Sequence, residues 1–272
     1  MAQRKDFYRL LSTTEFMISY IKKDLSQQYN IGDDFCTPDK YFKIESENNF
    51  CIIGGGAYVD YGLKRLKKLN IDPKKTIAWG LGNSDKKLID NKVKTLPYLE
   101  WALRDLDSVA SNKFVPCVSC FNRQIISEPK GNGTLIFLNA NEKVSGNITI
   151  SQPFLTNAVS LDDFIRQWST ADKIITNSYH GIYWSLLSGR SVLPFGYSSK
   201  FFSVLKMFEK ELPQQNYYKI KSKTELNDLL LQSLENPNYI SVKNSNLFLD
   251  RFRSLNYQFA MGLSQYGIRC SL

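Results

Sequence analysis

The chain has 272 residues, of which 43% are hydrophobic and 22% are charged. This composition excludes global disorder and can fill the core of one large domain or of two small ones. The 35 Lys and Arg residues outnumber the 26 Asp and Glu residues, so the net charge is +9. That excess fits an anionic partner and a solvated basic surface equally well. No basic run or recognised motif indicates a nucleic-acid partner, and we expect none.

The cysteines favour a reducing compartment. There are five, at irregular spacings behind a charged N-terminus without signal-peptide character: Cys36, Cys51, Cys117, Cys120 and Cys270. We therefore expect a cytoplasmic chain. We interpret the single Cys117-x-x-Cys120 pair as buried packing, because no second Cys or His pair completes a zinc site. Without an acidic cluster either, we expect no metal. No apolar stretch reaches the ~20 residues that span a bilayer.

The first half of the sequence predicts helices and strands joined by glycine loops. A capping-box pattern at residues 12–15 and apolar spacing over residues 17–25 predict a helix. Apolar runs at residues 50–53 and 76–79 predict buried strands, and each run is followed by glycines. Between them, a leucine stripe over residues 63–69 predicts an amphipathic helix whose other faces are basic.

The second half repeats this alternation. Strands are predicted at residues 134–138, 173–176 and 191–195, the last near a sheet edge because it contains Pro194. A helix is predicted over residues 179–187. Strands alternating with helices favour a parallel α/β sheet whose ligand loops follow the carboxyl ends of the strands.

The only histidine, His180, lies between a predicted strand end and a predicted helix start, where backbone N–H groups favour an anion. We expect a loop position there, with few core contacts. Lys200 follows one helix and one strand later. A right-handed strand–helix–strand unit would bring both loops to one sheet edge, where the two side chains could hold one anionic group. A capped helix, a packed histidine and a surface lysine would explain the spacing equally well.

Several further motifs occur in order between residues 28 and 201. They are Asn30-Ile31-Gly32-Asp33, Gly54-Gly55-Gly56, Gly80-Leu81-Gly82, Arg104-Asp105, Val115-Pro116-Cys117-Val118-Ser119-Cys120, Ile175-Thr176-Asn177-Ser178-Tyr179-His180-Gly181 and Ser198-Ser199-Lys200. As an ordered set, they resemble the motifs of the polysaccharide pyruvyltransferase family.

The resemblance implies an α/β fold of two Rossmann-like lobes of the GT-B type, with parallel sheets and a cleft between them. We expect an acceptor lobe over residues 1–128 and a donor lobe over 129–272, with a turn-rich linker at 128–133. A terminal helix over 246–261 is expected to cross back onto the first lobe. The implied reaction transfers pyruvate from phosphoenolpyruvate, a co-substrate rather than a cofactor, to a sugar diol. The acceptor would be a lipid-linked or free oligosaccharide of surface-polysaccharide biosynthesis.

The resemblance also implies roles for individual residues. His180 would be the general acid or a phosphate ligand, Asp33 the base or an acceptor ligand, and Lys200 an anion clamp. Further donor-binding residues would be Asn177, Ser178, Gly181, Ser198, Ser199 and Arg104. The acceptor side and its loops would comprise Asn30, Gly32, Gly54, Gly55, Gly56, Gly80 and Gly82, with Tyr197 stacking on a sugar ring.

One departure keeps other functions open. Ser178 stands where better-studied family members carry an arginine that holds the donor's anionic groups. Lys200, Arg104 or Arg123 could supply that charge, or the donor could differ. The first alternative is a GT-B glycosyltransferase with a nucleotide-sugar donor, and a third is a non-catalytic sugar- or nucleotide-binding module. The basic helix at residues 64–68 predicts peripheral contact with an anionic inner membrane face.

Overall fold

A computed structural model of the chain describes residues 8–12, 18–23, 29–56, 59–84, 95–106, 111–146, 148–220 and 225–272. Its fold is mixed α/β with two mainly parallel sheets, which confirms the predicted α/β class and its parallel sheets. The described residues form two compact units. Unit 1 contains the described residues within 8–84, 95–121 and 251–272, and unit 2 contains those within 122–250.

In the described ranges the strands are β1 (Tyr8–Ser12), β2 (Ile18–Lys23), β3 (Lys43–Ser46), β4 (Phe50–Gly54), β5 (Thr76–Leu81), β6 (Glu100–Leu103), β7 (Gly133–Leu138), β8 (Phe154–Thr156), β9 (Ala171–Thr176), β10 (Ser191–Pro194) and β11 (Ile268–Ser271). The helices there are α1 (Ile31–Asp34), α2 (Val59–Lys68), α3 (Glu142–Ser145), α4 (Leu161–Thr170), α5 (Tyr179–Leu187), α6 (Ser199–Lys206), α7 (Glu225–Glu235) and α8 (Ser245–Gly262). Of these helices, none is both long and apolar enough to cross a bilayer.

Unit 1 is built on a sheet in the order β1-β2-β4-β5-β6, parallel from β2 onward. β5 is buried along its whole length, which explains its continuous apolar run. Trp79 on this strand packs against Phe42 and Phe259, at centroid distances of 5.2 and 5.0 Å. Its indole nitrogen donates to Asn256 Oδ1 at 2.8 Å. The C-terminal segment therefore belongs to the core of unit 1, where β11 also pairs with β3.

The helix predicted over residues 17–25 is wrong in its described part. Residues 18–23 form β2, which pairs with β1 on one side and with β4 on the other. Ile18 and Ile21 are buried in the sheet. Apolar residues three and four apart suit a short strand as well as a helix, and pairing with β4 decides between them. The other residues of that prediction, 13–17 and 24–25, lie outside the described residues.

Unit 2 is built on a fully parallel sheet in the order β10-β9-β7-β8. β10 lies at its edge, as the proline predicted. Phe164 on α4 packs against Trp168 and Phe137, both at centroid distances of 5.0 Å. Arg190 is fully buried and donates to the carbonyls of Ala171 and Trp168 at 2.9 and 3.0 Å. Burial lowers the pKa of this guanidinium to about 10. The guanidinium also donates to the Ser127 carbonyl at 2.6 Å, so it links the segment before β7 to the end of α4 and the start of β9.

Candidate functional site

The strand order of unit 2 reverses between β7 and β9. The chain passes from β7 to β8 on one side, then crosses to β9 and β10 on the other. Loops leaving two such strands diverge, and the crevice between them at the carboxyl edge is the usual ligand site of open α/β sheets. In unit 1 the parallel strands β2, β4, β5 and β6 follow chain order, so they create no reversal. The candidate site is therefore the unit 2 edge, which we define as residues 139–146, 157, 177–181 and 195–200.

The loop after β9 is held in place by side-chain hydrogen bonds to its own backbone. Thr176 Oγ1 donates to the Phe137 carbonyl at 2.5 Å and accepts from Ser178 N at 3.0 Å. Ser178 is the N-cap of α5, and its hydroxyl accepts from Gly181 N at 3.5 Å. A Cβ on Gly181 would lie 2.4 Å from Thr176 Oγ1. The motif glycine is thus required by close packing of α5 against the end of β9.

His180 lies in the first turn of α5 and is only 6% exposed. Its ring packs against Tyr179 and Trp184, with centroids 5.3 and 5.1 Å away. The predicted place between a strand end and a helix start is confirmed, but the expected loop position with few core contacts is wrong. The ring is buried because helix α5 is buried on all sides, and its aromatic residues Tyr179, Tyr183 and Trp184 are part of the core.

Asn177 links the loops after β7 and β9 of the unit 2 edge to Tyr218. Its carboxamide oxygen accepts from Asn139 N at 2.7 Å, after β7. Its amide nitrogen donates to Ser145 Oγ on α3 and to Tyr218 Oη, both at 3.0 Å. Burial raises the pKa of Tyr218, which stays a neutral phenol and donates to Val144 O at 3.2 Å. Asn177, expected to touch the donor, thus has a clear positioning role in the fold.

The loop after β10 follows a strand that neighbours β9 in parallel, as the sequence predicted for the His180 and Lys200 loops. Lys200 Nζ donates to Tyr197 Oη at 2.9 Å and lies over the rings of Tyr197 and Phe201 at 4.7 and 5.1 Å. Ser198 and Ser199 begin α6, although the Ser198 side chain makes no capping hydrogen bond. This arrangement holds one ammonium group at the edge of the sheet.

The role predicted for Tyr197 is not supported. We expected its ring to stack on a sugar, but the side chain is only 6% exposed. Its ring packs against Phe201 and Tyr218, with centroids 4.7 and 5.7 Å away. The exposed position suggested by an edge strand is covered by residues 216–218, where Tyr218 N donates to Gly196 O at 2.9 Å. Tyr197 therefore positions the lysine rather than a ligand.

Sequence reasoning missed a second cation at the unit 2 edge. Lys143 is exposed on α3, immediately after β7, and its backbone N–H donates to Asn141 Oδ1 at 3.0 Å. The signal was the run Asn139-x-Asn141 after a predicted strand, since such asparagines fold back onto their own backbone. Arg123, considered as a replacement for the missing family arginine, is exposed and precedes β7. It lies in none of the loops that form the edge.

The predicted N-terminal motif folds as a short helix in unit 1. Asn30 caps α1, and its carboxamide oxygen accepts from the backbone N–H groups of Gly32 and Asp33 at 3.0 and 3.3 Å. Asp33 is half-buried, and its carbonyl accepts from the Cys36 thiol at 3.1 Å. Asp33 and Arg104 belong to unit 1, whereas His180 and Lys200 belong to unit 2.

The glycine loops of unit 1 pack against each other and against neighbouring side chains. Gly82 N donates to Gly56 O at 2.7 Å. Gly55 has a φ of +63°, and a Cβ there would lie 2.2 Å from Cys36 Sγ. A Cβ on Gly82 would lie 2.4 Å from Nε of the buried Arg104. A Cβ on Gly54 would lie 2.4 Å from the Pro38 side chain, whereas at Gly80 the nearest atoms are 3.3 Å away and the φ of +60° is what favours glycine. Close packing or a positive φ therefore accounts for glycine at these positions.

The cysteines of unit 1 form no disulfide bonds. Burial raises the pKa of Cys36 well above its ordinary value, although the Arg104 guanidinium acts in the opposite direction. Cys117 and Cys120 are fully buried, as expected of packing residues, and form no disulfide. Among the residues that the structure describes, no three His, Cys, Asp or Glu side chains are grouped to hold a metal ion.

Comparison of the chain with protein-family models, with curated proteins and with solved structures finds no match. The similarity to polysaccharide pyruvyltransferases consequently depends on the motif residues themselves and stays a prediction.

Proposed function

We propose that the chain is a transferase of surface-polysaccharide biosynthesis that moves pyruvate from phosphoenolpyruvate to a sugar diol. The observation that carries this proposal is the unit 2 edge. There the start of α5, with Ser178 and His180, and the loop bearing Lys200 follow neighbouring strands beside the strand-order reversal. These are the positions at which the chain resembles the pyruvyltransferase family.

The physical chemistry of this edge suits an anionic donor. The N-terminus of the nine-residue helix α5 carries a partial positive charge and N–H groups directed out of the helix. Lys200 adds a full charge, and an ammonium group has three N–H donors, of which Tyr197 takes one. Phosphoenolpyruvate carries a phosphate and a carboxylate. One of them can bind at the start of α5, and the other can bind Lys200.

The reaction needs one proton donor and one base. One sugar hydroxyl adds to the enol carbon while the methylene gains a proton. The C–O bond to phosphate then breaks as the second hydroxyl closes the ketal, and the proton of that hydroxyl passes to the departing phosphate. In the proposal His180 supplies the proton and Asp33 accepts one from the sugar. Because these residues belong to different units, the proposal includes the two-lobed GT-B arrangement, with unit 1 binding the acceptor and unit 2 the donor.

One observation favours a nucleotide-sugar donor as the second candidate. Ser178 caps α5, so the position where family members hold the pyruvyl donor with arginine is used for helix capping here. A donor screen separates the two. Phosphoenolpyruvate turnover releases phosphate, nucleotide-sugar turnover releases a nucleotide, and a non-catalytic module binds a ligand without releasing either.

Two lysines on α6 allow the donor-binding position to be tested by substitution. Lys200→Gln should weaken phosphoenolpyruvate binding by about 10-fold, the scale of one lost hydrogen bond to a charged group. Lys206→Gln, a control at the exposed far end of the same helix, should leave binding unchanged. Equal effects of the two substitutions, or none, would argue against a donor site at this edge.

A further inference from the structure

Unit 1 carries a concentrated basic surface away from its glycine loops. We define the lysine face as five exposed residues on α2 and on the 3₁₀ turn that follows it: Lys64, Lys67, Lys68, Lys74 and Lys75. The first three are spaced i, i+3 and i+4, so they share one side of the helix. Arg65 belongs to the basic helix predicted at residues 64–68, but it is only 7% exposed and does not contribute to the face.

Few acidic residues accompany these lysines in the sequence. Between residues 64 and 75 the only acidic residue is Asp72. Its carboxylate already accepts from the backbone N–H of Lys74 at 2.9 Å, as the cap of the 3₁₀ turn. Five positive charges within twelve residues of chain therefore create a field that favours an anionic partner.

The position of the face limits what it can do. α2 connects the parallel strands β4 and β5, so it runs back from the carboxyl edge of the sheet to the amino edge. The lysine face thus lies at the end of β5 opposite Gly80 and Gly82. A six-residue strand spans about 20 Å. A partner bound here would leave the glycine-loop edge open and facing away from it.

We propose that the lysine face docks unit 1 onto a bilayer that contains anionic lipids. The face is made of lysines, with Leu63, Leu69 and Ile71 half-buried beside them, a mixture of flexible ammonium groups and apolar side chains that suits a headgroup layer. Nucleic-acid surfaces rely more on arginine and stacking aromatics. Residues 64–75 contain no aromatic side chain, and their one arginine is buried.

The test is flotation of the full chain with vesicles, without donor or acceptor, so it is independent of the proposed reaction. Vesicles of phosphatidylcholine with one third phosphatidylglycerol should bind the chain at low salt and release it at high salt. Pure phosphatidylcholine should not bind. The triple variant Lys67→Gln, Lys74→Gln, Lys75→Gln should bind roughly 100-fold more weakly, because each lysine near an anionic surface contributes about a factor of five.

The control variant carries the same charge change in unit 2, at the exposed residues Lys130, Lys173 and Lys243. It should bind anionic vesicles within about 3-fold of wild type, since charges outside the contact are screened. Failure of the wild type to float with anionic vesicles would overturn the proposal. So would equal losses in both triple variants, or binding of duplex DNA through the lysine face in place of vesicles.

Discussion

Substitution of the motif glycine Gly181 by alanine should disrupt the loop that carries the candidate site. The added Cβ would lie 2.4 Å from Thr176 Oγ1, about 1 Å closer than an ordinary contact of 3.4 Å. The helix can relieve this overlap only by displacing the threonine hydroxyl. That hydroxyl forms two buried hydrogen bonds, to the Phe137 carbonyl and from Ser178 N. Both would be stretched or broken.

The expected cost follows from these contacts. Overpacking of a close-packed site costs about 1–3 kcal/mol. Leaving a buried polar group without its partner adds about 1–3 kcal/mol. The intrinsic helix preference of alanine returns about 0.5–1 kcal/mol. Gly181→Ala should therefore lower the free energy of unfolding of unit 2 by roughly 3 kcal/mol.

Native-state hydrogen exchange can measure the loss of unfolding free energy within unit 2 itself. The amides of Ile174 and Ile175 on β9 are buried in unit 2 and report its opening free energy. Gly262→Ala is the matched control, because a Cβ there meets nothing within 4 Å and the φ of −61° suits any residue. It should not destabilise the chain. A loss below about 1 kcal/mol for Gly181→Ala would refute the packing explanation of the motif glycine.

Three further predictions test other parts of the account. His180→Ala should cut turnover about 10²-fold by loss of the proton donor, and should lower stability by about 1–2 kcal/mol because the ring is buried; His180→Gln, assayed alongside, should be nearly as inactive. Tyr218→Phe should cost about 1–3 kcal/mol in urea unfolding, since it leaves the Asn177 amide without its buried partner, whereas Tyr217→Phe should change stability by less than about 0.5 kcal/mol. Burial raises the pKa of Cys51 from 9.0 to about 12, so on raising the pH the thiol loses its proton in the unfolded chain first. The free energy of unfolding should therefore fall as pH rises above 9.0. Cys51→Ala should flatten that decline by about 1.4 kcal/mol per pH unit, and an unchanged slope would contradict the raised pKa.

The sequence was sufficient to predict elements whose signal is local. β4 and β5 are continuous apolar runs that end at glycines, and buried parallel strands have this pattern. β9 carries the buried apolar pair Ile174 and Ile175 after the exposed Lys173. Helix α5 was predicted with its observed bounds, between a predicted strand end and the closing Gly189. Their order along the chain was enough to place the His180 and Lys200 loops on neighbouring strands.

Features that depend on distant partners could not be predicted in this way. The segment of β2 has apolar spacing that fits helix or strand, and only its pairing with β4 decides. Tyr197 follows an edge strand, yet residues 216–218 pair with that loop and bury it. Tyr218 is 41 residues from Asn177 in the sequence, so no local pattern indicates the hydrogen bond between these two side chains.

The most direct test of the central claim is to follow amide chemical shifts by NMR while phosphoenolpyruvate is added to the full chain, since this measurement needs no knowledge of the acceptor. The account predicts saturable shifts concentrated at residues 177–181 and 198–200, which are weakened by Lys200→Gln and unchanged by Lys206→Gln. Absence of saturable shifts at these residues, or shifts confined to unit 1, would contradict a donor site at the unit 2 edge.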